Sequence, residues 1–525
     1  MTGRFTSTGF KEVPDPLPTH ELLADIAQSV GVFQTEGGFS FAHYEAGWRG
    51  HRNVPLRSLD LREWLAETCH RQHDRPAKPA HLRECVGNLE SKATAGAVTI
   101  RNLAYRVAGT DRATFTQDNP RRPSIIGIDL AHPSGRAIEI TAAGWKLDTN
   151  REFAFWHPAG YLRLPDPQPT PVDDRAATLH AFRSLTNLTR DHDWLRTVGW
   201  LLAALHPKMS RPMLVIHGPS GSGKSTAARF IRSLLDPIEA PLRPLSASHS
   251  SLTDHALNNW ILAFDCVSRI PGRTSDLLSQ LTTGAGLEYS TRVTRRERIP
   301  VTVARPILMT AHPDLKLRDD LTARSLTVTL DPLNEVRTEA DLLDQYADIR
   351  PRLLALLCDA VARAMSTSSP SRDQSLPSRD QRERSIFPDA TNWILAACPA
   401  LGIDPADMLA ALTEPPQPHL NPFTQSVLDF MSARDCATWK GTATELALAL
   451  HYTKVASEFS RQLRDSEPLL AHHRIHLHHG RAHEGRRVMI LQRVANHPSP
   501  CHQPPPHIDG ELVEDLAKGD VNALR

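Results

Sequence analysis

Lysine, cysteine and long apolar runs are all scarce in this 525-residue chain, and the last two shortages each remove a class of protein. Of its 60 basic residues only 10 are lysine, which leaves 50 arginines. That skew suits a GC-rich genome as well as phosphate recognition, and the genome reading is preferred. Seven cysteines, Cys69, Cys85, Cys266, Cys358, Cys398, Cys436 and Cys501, are odd in number and scattered. They exclude a disulfide framework and fit a reducing cytosol. The longest apolar stretch, Val198 to Leu205, is far too short to span a bilayer. The opening MTGRFTSTGFKEVPDP has no apolar segment, so no signal peptide is expected and a cytoplasmic location is. Excess charge is lacking too. The formal net charge is +1, so no global field draws the chain to nucleic acid, and such binding must rest on local patches.

What is present is ordinary for a globular protein, with 40% apolar and 23% charged residues. The length suggests three or four domains, large enough to bury cores without disulfides. Residues 1–163 mix helical patterns (Ser58–His73, His81–Lys92) with alternating runs such as RAIEITAAGWKL at 136–147, and read as an α+β accessory domain. A linker follows at 164–174, where prolines block regular structure. Helices are expected at about 176–186 and 191–205. The second carries a buried stripe of Trp194, Leu195, Val198, Leu201, Leu202 and Leu205. Between 211 and 335 the apolar runs Met213–His217, Trp260–Asp265, Val301–Ala304 and Ile307–Thr310 alternate with helical segments. That pattern predicts an α/β core, 175–335, with a parallel sheet and crossover helices. A helical lid is expected over 336–420. It opens with a helix at 338–366, capped by Thr338 and Asp341. It also holds a polar, repetitive loop at 366–385 that is expected to be disordered. A compact unit at 421–495 and a tail at 496–525 complete the chain.

The sharpest motif is GPSGSGKS at 218–225, a full G-x-x-x-x-G-K-[ST] match between an apolar strand and a helix. Gly218, Gly221 and Gly223 free the backbone to turn its N–H groups around phosphates. The next helix adds the partial positive charge of its N-terminus, with Thr226 in its first turn. Lys224 is expected to reach the β- and γ-phosphates of ATP, and Ser225 to ligate Mg²⁺. A glycine-rich turn without a ligand is the bland alternative. The second Mg²⁺-site acid is expected at the end of a neighbouring strand, and WILAFD supplies Asp265. Many ATPases place a glutamate directly after this acid to polarise water. Here Cys266 stands there, so either another acid (Asp276 or Glu288) serves or hydrolysis is slow.

From this loop onward the chain resembles the AAA+/superfamily 3-like ATPases of actinomycete phages, plasmids and integrative elements, which often accompany primases. The matching stretches are HGPSGSGKST, ILAFDCVSRIPGRTSDLLSQLTTGAG, STR, RPILMTAHPD, RDDLTARSLTVTLDP and WKGTATELALAL. The resemblance implies a P-loop fold with a helical lid and a ring, typically a hexamer. It implies a polar sensor at Thr310, where relatives usually carry asparagine. It also implies a finger arginine at Arg324, with Arg318 as runner-up, acting on ATP held by a neighbouring subunit; surface ion pairing is the alternative for both arginines. It further implies a pore hairpin in EYSTRVTRRERIPVTV, turning at about 294–297, with Arg295, Arg296 and Arg298 on phosphates.

The unit at 421–495 reads as a winged helix: a helix at 422–432, a Thr442–Glu445 capping box, a recognition helix near 453–469 and two strands around a wing. Lys454, Ser457, Arg461 and Arg464 on the helix, with Arg481 and Arg486 on the wing, are the candidate DNA contacts. Protein contact is the alternative. Cys69, His73, His81 and Cys85 have a spacing that helical pairs use for Zn²⁺, but in a chain with 26 histidines chance spacing is preferred. The expectation is a replicative helicase or DNA-remodelling motor of a mobile element. A DNA-bound ATPase switch without unwinding and a phage-defence ATPase are the alternatives.

Overall fold

In a computed structural model the described residues are 17–35, 38–47, 50–95, 99–110, 123–149, 153–290, 298–312, 315–333, 335, 337–367, 377–378, 382, 385–414, 422–434, 437–452, 456–481 and 487–493. The chain forms two compact units that divide between Pro416 and Gln417.

The first unit opens with α1 (Thr19–Gln28), the antiparallel strands β1 (Gly31–Gln34), β2 (Ser40–Glu45) and β3 (His51–Pro55), then α2 (Leu59–His73) and α3 (Pro79–Ala95). The Ser58 hydroxyl caps α2 by accepting from the Leu61 N–H at 3.2 Å. Leu23, Val54, Leu61, Leu65 and Leu89 form the core here, with Cys69 and Cys85 buried among them. His73 lies exposed. Among the described residues no group of three histidine, cysteine, aspartate or glutamate side chains is placed to hold a metal ion.

Next come β4 (Asn102–Ala104), β5 (Val107–Thr110), β6 (Ile125–Asp129), β7 (Ala137–Thr141), β8 (Gly144–Asp148) and β9 (Phe153–Phe155). Strands β5 to β8 form an antiparallel sheet in chain order, and β4 pairs with β9 in parallel. The alternating run at 136–147 is the β7–β8 hairpin. Ile126, Ile128, Ile138 and Ile140 pack into one core with the helices that follow, so packing is continuous across residue 163. Helix α4 (Val172–Leu185) begins inside the stretch expected as linker, where Asp173 and Asp174 complement the dipole of its first turn.

After α5 (Asp191–Ala204) the chain builds a parallel sheet. Its elements are β10 (Met213–His217), α6 (Lys224–Leu235), α7 (His249–Asn258), β11 (Leu262–Val267), α8 (Gly272–Thr283), β12 (Ala285–Ser290), β13 (Arg298–Val303), β14 (Ile307–Ala311), α9 (Asp319–Ala323) and β15 (Ser325–Thr329). The sheet order is β11-β14-β10-β15, with every pair parallel. Leu214 and Ile216 of β10 face one core, Met213 and Val215 the other. Burial on both faces explains the unbroken apolar run of this strand. Two expectations change. The stretch Val301–Ala304 does not join this sheet: β13 pairs antiparallel with β12 as a hairpin, from Ala285 opposite Val303 to Ser290 opposite Arg298. Its residues alternate between buried Val303 and exposed Thr302, which suits a one-sided hairpin. Asp265 also does not lie on the strand next to β10, because β14 runs between them.

The stretch expected as a lid contains α10 (Glu339–Ser366), α11 (Pro388–Ala397), a 3₁₀ turn at Cys398–Leu401 and α12 (Pro405–Thr413). Thr338 caps α10 through the Asp341 N–H at 3.1 Å. Most of the loop expected at 366–385 lies outside the described residues, although Arg382 is buried and donates to Asn392 Oδ1 at 2.8 Å.

One half-buried histidine should give this unit a pH dependence. His255 on α7 packs edge-on against Phe264, with ring centroids 5.8 Å apart. Burial, with help from Arg243 and Arg232, pushes its pKa down to about 3 from an ordinary 6.5. Above pH 6.5 the imidazole is neutral in both folded and unfolded chains. Below it, only the unfolded chain takes the proton, so stability falls at about 1.4 kcal/mol per pH unit. Acidification from pH 7 to 5 should cost about 2 kcal/mol through this group. In His255→Leu that share of the acid sensitivity should vanish. Urea unfolding of both proteins at the two pH values checks this; equal losses refute it.

The second unit comprises α13 (Pro422–Ser432), β16 (Thr438–Gly441), α14 (Ala443–Ala449), α15 (Ala456–His472), β17 (Ile475–Arg481) and β18 (Arg487–Arg493). Its antiparallel sheet has the order β16-β18-β17. The capping box forms: the Thr442 hydroxyl accepts from the Glu445 N–H, and the Glu445 carboxylate accepts from the Thr442 N–H at 2.7 Å. Val427, Met431, Trp439, Phe459, Leu463 and Leu491 supply the core. No described helix in either unit is long and apolar enough to cross a membrane.

Candidate functional site

The four parallel strands end on one edge, and the loop 218–223 crosses that edge between β10 and α6. Its shape depends on glycine. Gly218, Gly221 and Gly223 have φ of 147°, 79° and 81°, where other residues are strained. At Gly218 space is short as well, since a Cβ would stand 2.7 Å from the Leu330 carbonyl oxygen and from Ser222 Oγ. Gly223 is the N-cap of α6 and offers no side chain to the first N–H groups of the helix. Those groups and the helix dipole therefore present a positive end beside the loop.

Lys224 opens α6. Its ammonium donates to the carbonyls of Gly218 and Pro219, each at 2.8 Å. Burial lowers its pKa, while Cys266 and Asp265 act in the opposite direction. Ser225 Oγ donates to Asp265 Oδ1 at 2.8 Å and lies 3.1 Å from Oδ2. Thr310 Oγ1 donates to the same Oδ1 at 2.5 Å and accepts from the Cys266 N–H at 2.8 Å. Lys224, Ser225, Asp265 and Thr310, which lie apart in the chain, thus meet at one end of the sheet. Thr226 follows on α6, half-buried.

A local irregularity aims Asp265. Strand β11 runs on to Val267 rather than stopping at the acid, and its register with β14 shifts between Phe264 and Val267. Cys266 takes φ of 50°, a left-handed conformation uncommon for cysteine. A bulge of this kind re-aims a side chain at a strand end. Here it lets Asp265 reach across β14 to a serine on α6. Cys266 itself is exposed.

The remaining candidates do not gather there. Arg324 follows α9, and its Nη1 donates to the Asp320 carbonyl at 3.2 Å. Its own carbonyl accepts from the Met213 N–H, so it sits at the start of β10. The loop leaves the other end of that strand, roughly 16 Å away at 3.3 Å per residue. Arg318 pairs with Asp276 at 2.8 Å, which occupies both the runner-up arginine and one of the alternative acids. The side chain of Glu288, the other acid, lies outside the described residues, as do those of Arg295, Arg296 and Arg298. In the second unit Arg461 and Arg464 are exposed on α15, whereas Lys454, Arg486 and the side chains of Ser457 and Arg481 lie outside the described residues.

Four residues beside the loop escaped the sequence reading. Asn187, in the turn after α4, donates through Nδ2 to the carbonyls of Ser222 at 3.2 Å and Asp331 at 2.8 Å. The Asp331 carboxylate accepts from Thr189 Oγ1 and Arg190 Nη2, both at 2.6 Å. The only local signal was an asparagine between two helices, the residue type that best tolerates the left-handed φ of 53° found there.

No curated protein matches the chain. Among solved structures it is similar to the A-form apo structure of the NrS-1 C-terminal region, at 10% identity over 92% of this chain and 100% of that one, with a TM-score of 0.36. It is similar to the SCCmec type IV Cch active helicase at 13% identity over 88% and 92%, with a TM-score of 0.37. It is similar to JCV helicase, bound to a small acetamide compound, at 12% identity over 44% and 74%, with a TM-score of 0.23. These likenesses are distant. Over residues 179–375, which hold the loop, Asp265, Thr310 and α10, the chain matches the family of actinomycete integrative conjugative element replication proteins.

Proposed function

We propose that the chain is an ATP-dependent helicase or DNA-remodelling motor that serves the replication of a mobile element. The observation that carries this reading is the convergence of Lys224, Ser225 and Asp265 at the glycine-rich loop. A cationic loop over a helix N-terminus suits a triphosphate. A hydroxyl and a carboxylate 2.8 Å apart are hard oxygen donors that suit Mg²⁺. Mg²⁺ there would neutralise charge on the phosphates, and Lys224 would hold the phosphate tail. The match over residues 179–375 to replication proteins supports the biological setting.

Three further parts belong to the proposal. The core is a P-loop fold of AAA+ type. Arg324, at the far end of the sheet from its own loop, would serve as a finger only for a neighbour's ATP, which requires a homo-oligomeric ring. The second unit runs helix, strand, helix, helix, strand, strand, an order that suits a winged helix, with Arg461 and Arg464 exposed for phosphate contact. A primase is a candidate partner, and the cytoplasm the candidate location.

A specific observation favours a second reading, a DNA-bound switch that hydrolyses slowly without unwinding. Cys266 stands where a water-polarising glutamate is expected, and Asp276 is engaged by Arg318. Strand displacement and ATP turnover, measured with and without single-stranded DNA, decide between the two. The motor reading expects DNA-stimulated turnover together with unwinding that stops in Lys224→Ala. Stimulated turnover without unwinding establishes the switch, and unwinding that persists in Lys224→Ala refutes the motor.

A further inference from the structure

We infer that Asn187 is a positioning residue that holds the phosphate loop ready for nucleotide, an inference that rests on the nucleotide-binding reading above. Its side-chain nitrogen lies within hydrogen-bond reach of two carbonyl oxygens, Ser222 O at 3.2 Å and Asp331 O at 2.8 Å. Because both partners are acceptors, the amide must present its donor end to them.

The consequence for the loop follows from peptide geometry. In a trans peptide the C=O and the next N–H point in opposite directions. Fixing the Ser222 carbonyl toward Asn187 therefore turns the Gly223 N–H away from Asn187. Gly223 is left-handed and uncapped, so its peptide has an unusually wide choice of orientation without such a tether. Asn187 removes that choice.

The tether is itself anchored. Asp331 follows β15, and its carboxylate is gripped by Thr189 and Arg190 from the turn that holds Asn187. The backbone around it is fixed too, since the Leu330 N–H donates to the His217 carbonyl at 2.9 Å. The clasp thus joins the α4–α5 turn, the exit of β15 and the phosphate loop. Asn187 suits its place in two ways: it accepts φ of 53° at little cost, and it supplies the donor. Those two roles separate cleanly in Asn187→Gly, which keeps the backbone freedom and loses the amide.

Such a residue acts on the loop before nucleotide arrives, so its loss should weaken binding more than turnover. Asn187→Gly should raise the KM for Mg·ATP about tenfold, equivalent to about 1.4 kcal/mol, with kcat within about twofold of wild type. Asn187→Asp keeps the left-handed tolerance, loses the donors and sets a carboxylate against two carbonyls; its KM should rise further. Both variants are compared with wild type and Lys224→Ala in the full-length chain, by steady-state turnover and by equilibrium binding of a fluorescent ATP analogue. If wild type binds and both Asn187 variants match its KM, the positioning role is wrong while nucleotide binding stands. A kcat that falls with KM unchanged also overturns it. If wild type takes up no nucleotide, the underlying reading fails and this inference with it.

Discussion

Lys224→Ala should reduce Mg·ATP turnover by a factor on the order of 10²–10³, the scale seen when one preorganised donor aimed at developing charge is removed, or about 3–4 kcal/mol. In the structure its ammonium is held on the Gly218 and Pro219 carbonyls. Phosphate oxygens would offer it charged acceptors in place of neutral ones, and charge-assisted bonds are the stronger kind. Alanine keeps the helix and removes the charge, so loss of function should come without loss of fold. Lys224→Arg should fail as well, because a planar guanidinium does not replace a compact ammonium inside a tight loop. Ser225→Ala differs in kind: it leaves the cation in place and removes a hydroxyl from Asp265. Its defect should ease at high Mg²⁺ concentration, whereas that of Lys224→Ala should not. Phosphate release across a Mg²⁺ series, with circular dichroism as the check on folding, tests all three. A folded Lys224→Ala protein with wild-type turnover would place hydrolysis elsewhere in the chain.

The sequence made the loop and its strand plain because both are local. Met213–His217 is a buried run ending at a glycine, and the motif sits at fixed offsets from it. Helix α10 was equally legible, since Thr338 and Asp341 mark its start without reference to the rest of the fold. Asp265 was found by its place after an apolar run, but its geometry was not, because the bulge at Cys266 arises from pairing with β14, which comes some 40 residues later. Strand β15 was missed for a related reason. SLTVT is short, carries two threonines and becomes a strand only beside β10. The assignment of Val301–Ala304 to the central sheet failed because a short apolar run looks alike in a buried strand and in a hairpin; only pairing distinguishes them. The clasp around Asn187 joins residues 144 positions apart through side-chain-to-backbone bonds, which leave no periodic trace.

The same is true of the contact whose loss should destabilise the protein most. Asp236 caps the C-terminal end of α6 and is 1% exposed. Its Oδ1 accepts from Arg106 Nε at 3.2 Å, its Oδ2 accepts from the Ile261 N–H at 3.1 Å, and Arg232 lies 3.6 Å away. Both guanidinium side chains are fully buried. Burial pushes the Arg232 pKa down to about 10, against the pull of Asp236. Asp236→Ala would leave two buried cations without their carboxylate, and breaking a buried pair from one side costs about 3–5 kcal/mol. Arg106 would keep its bonds to the carbonyls of Asp129, Leu162 and Pro237 and its place 3.8 Å from the Tyr161 ring centroid, so its charge would stay buried rather than swing into water. Arg106→Met alone should cost less than Asp236→Ala, because Asp236 retains Arg232 and the Ile261 amide. Combining the two should cost less than their sum, since the second change removes a charge that the first left unpaired. Urea unfolding of the four proteins closes this cycle, and strict additivity would show that the pair is not coupled. The position of Asp236 extends the effect to the site. It ties the end of the helix that begins with Lys224 and Ser225 to the residue before β11, the strand that carries Asp265. It also ties both, through Arg106, to the β5–β8 region. Residual folded Asp236→Ala protein should therefore bind Mg·ATP more weakly than wild type although no group at the loop has changed.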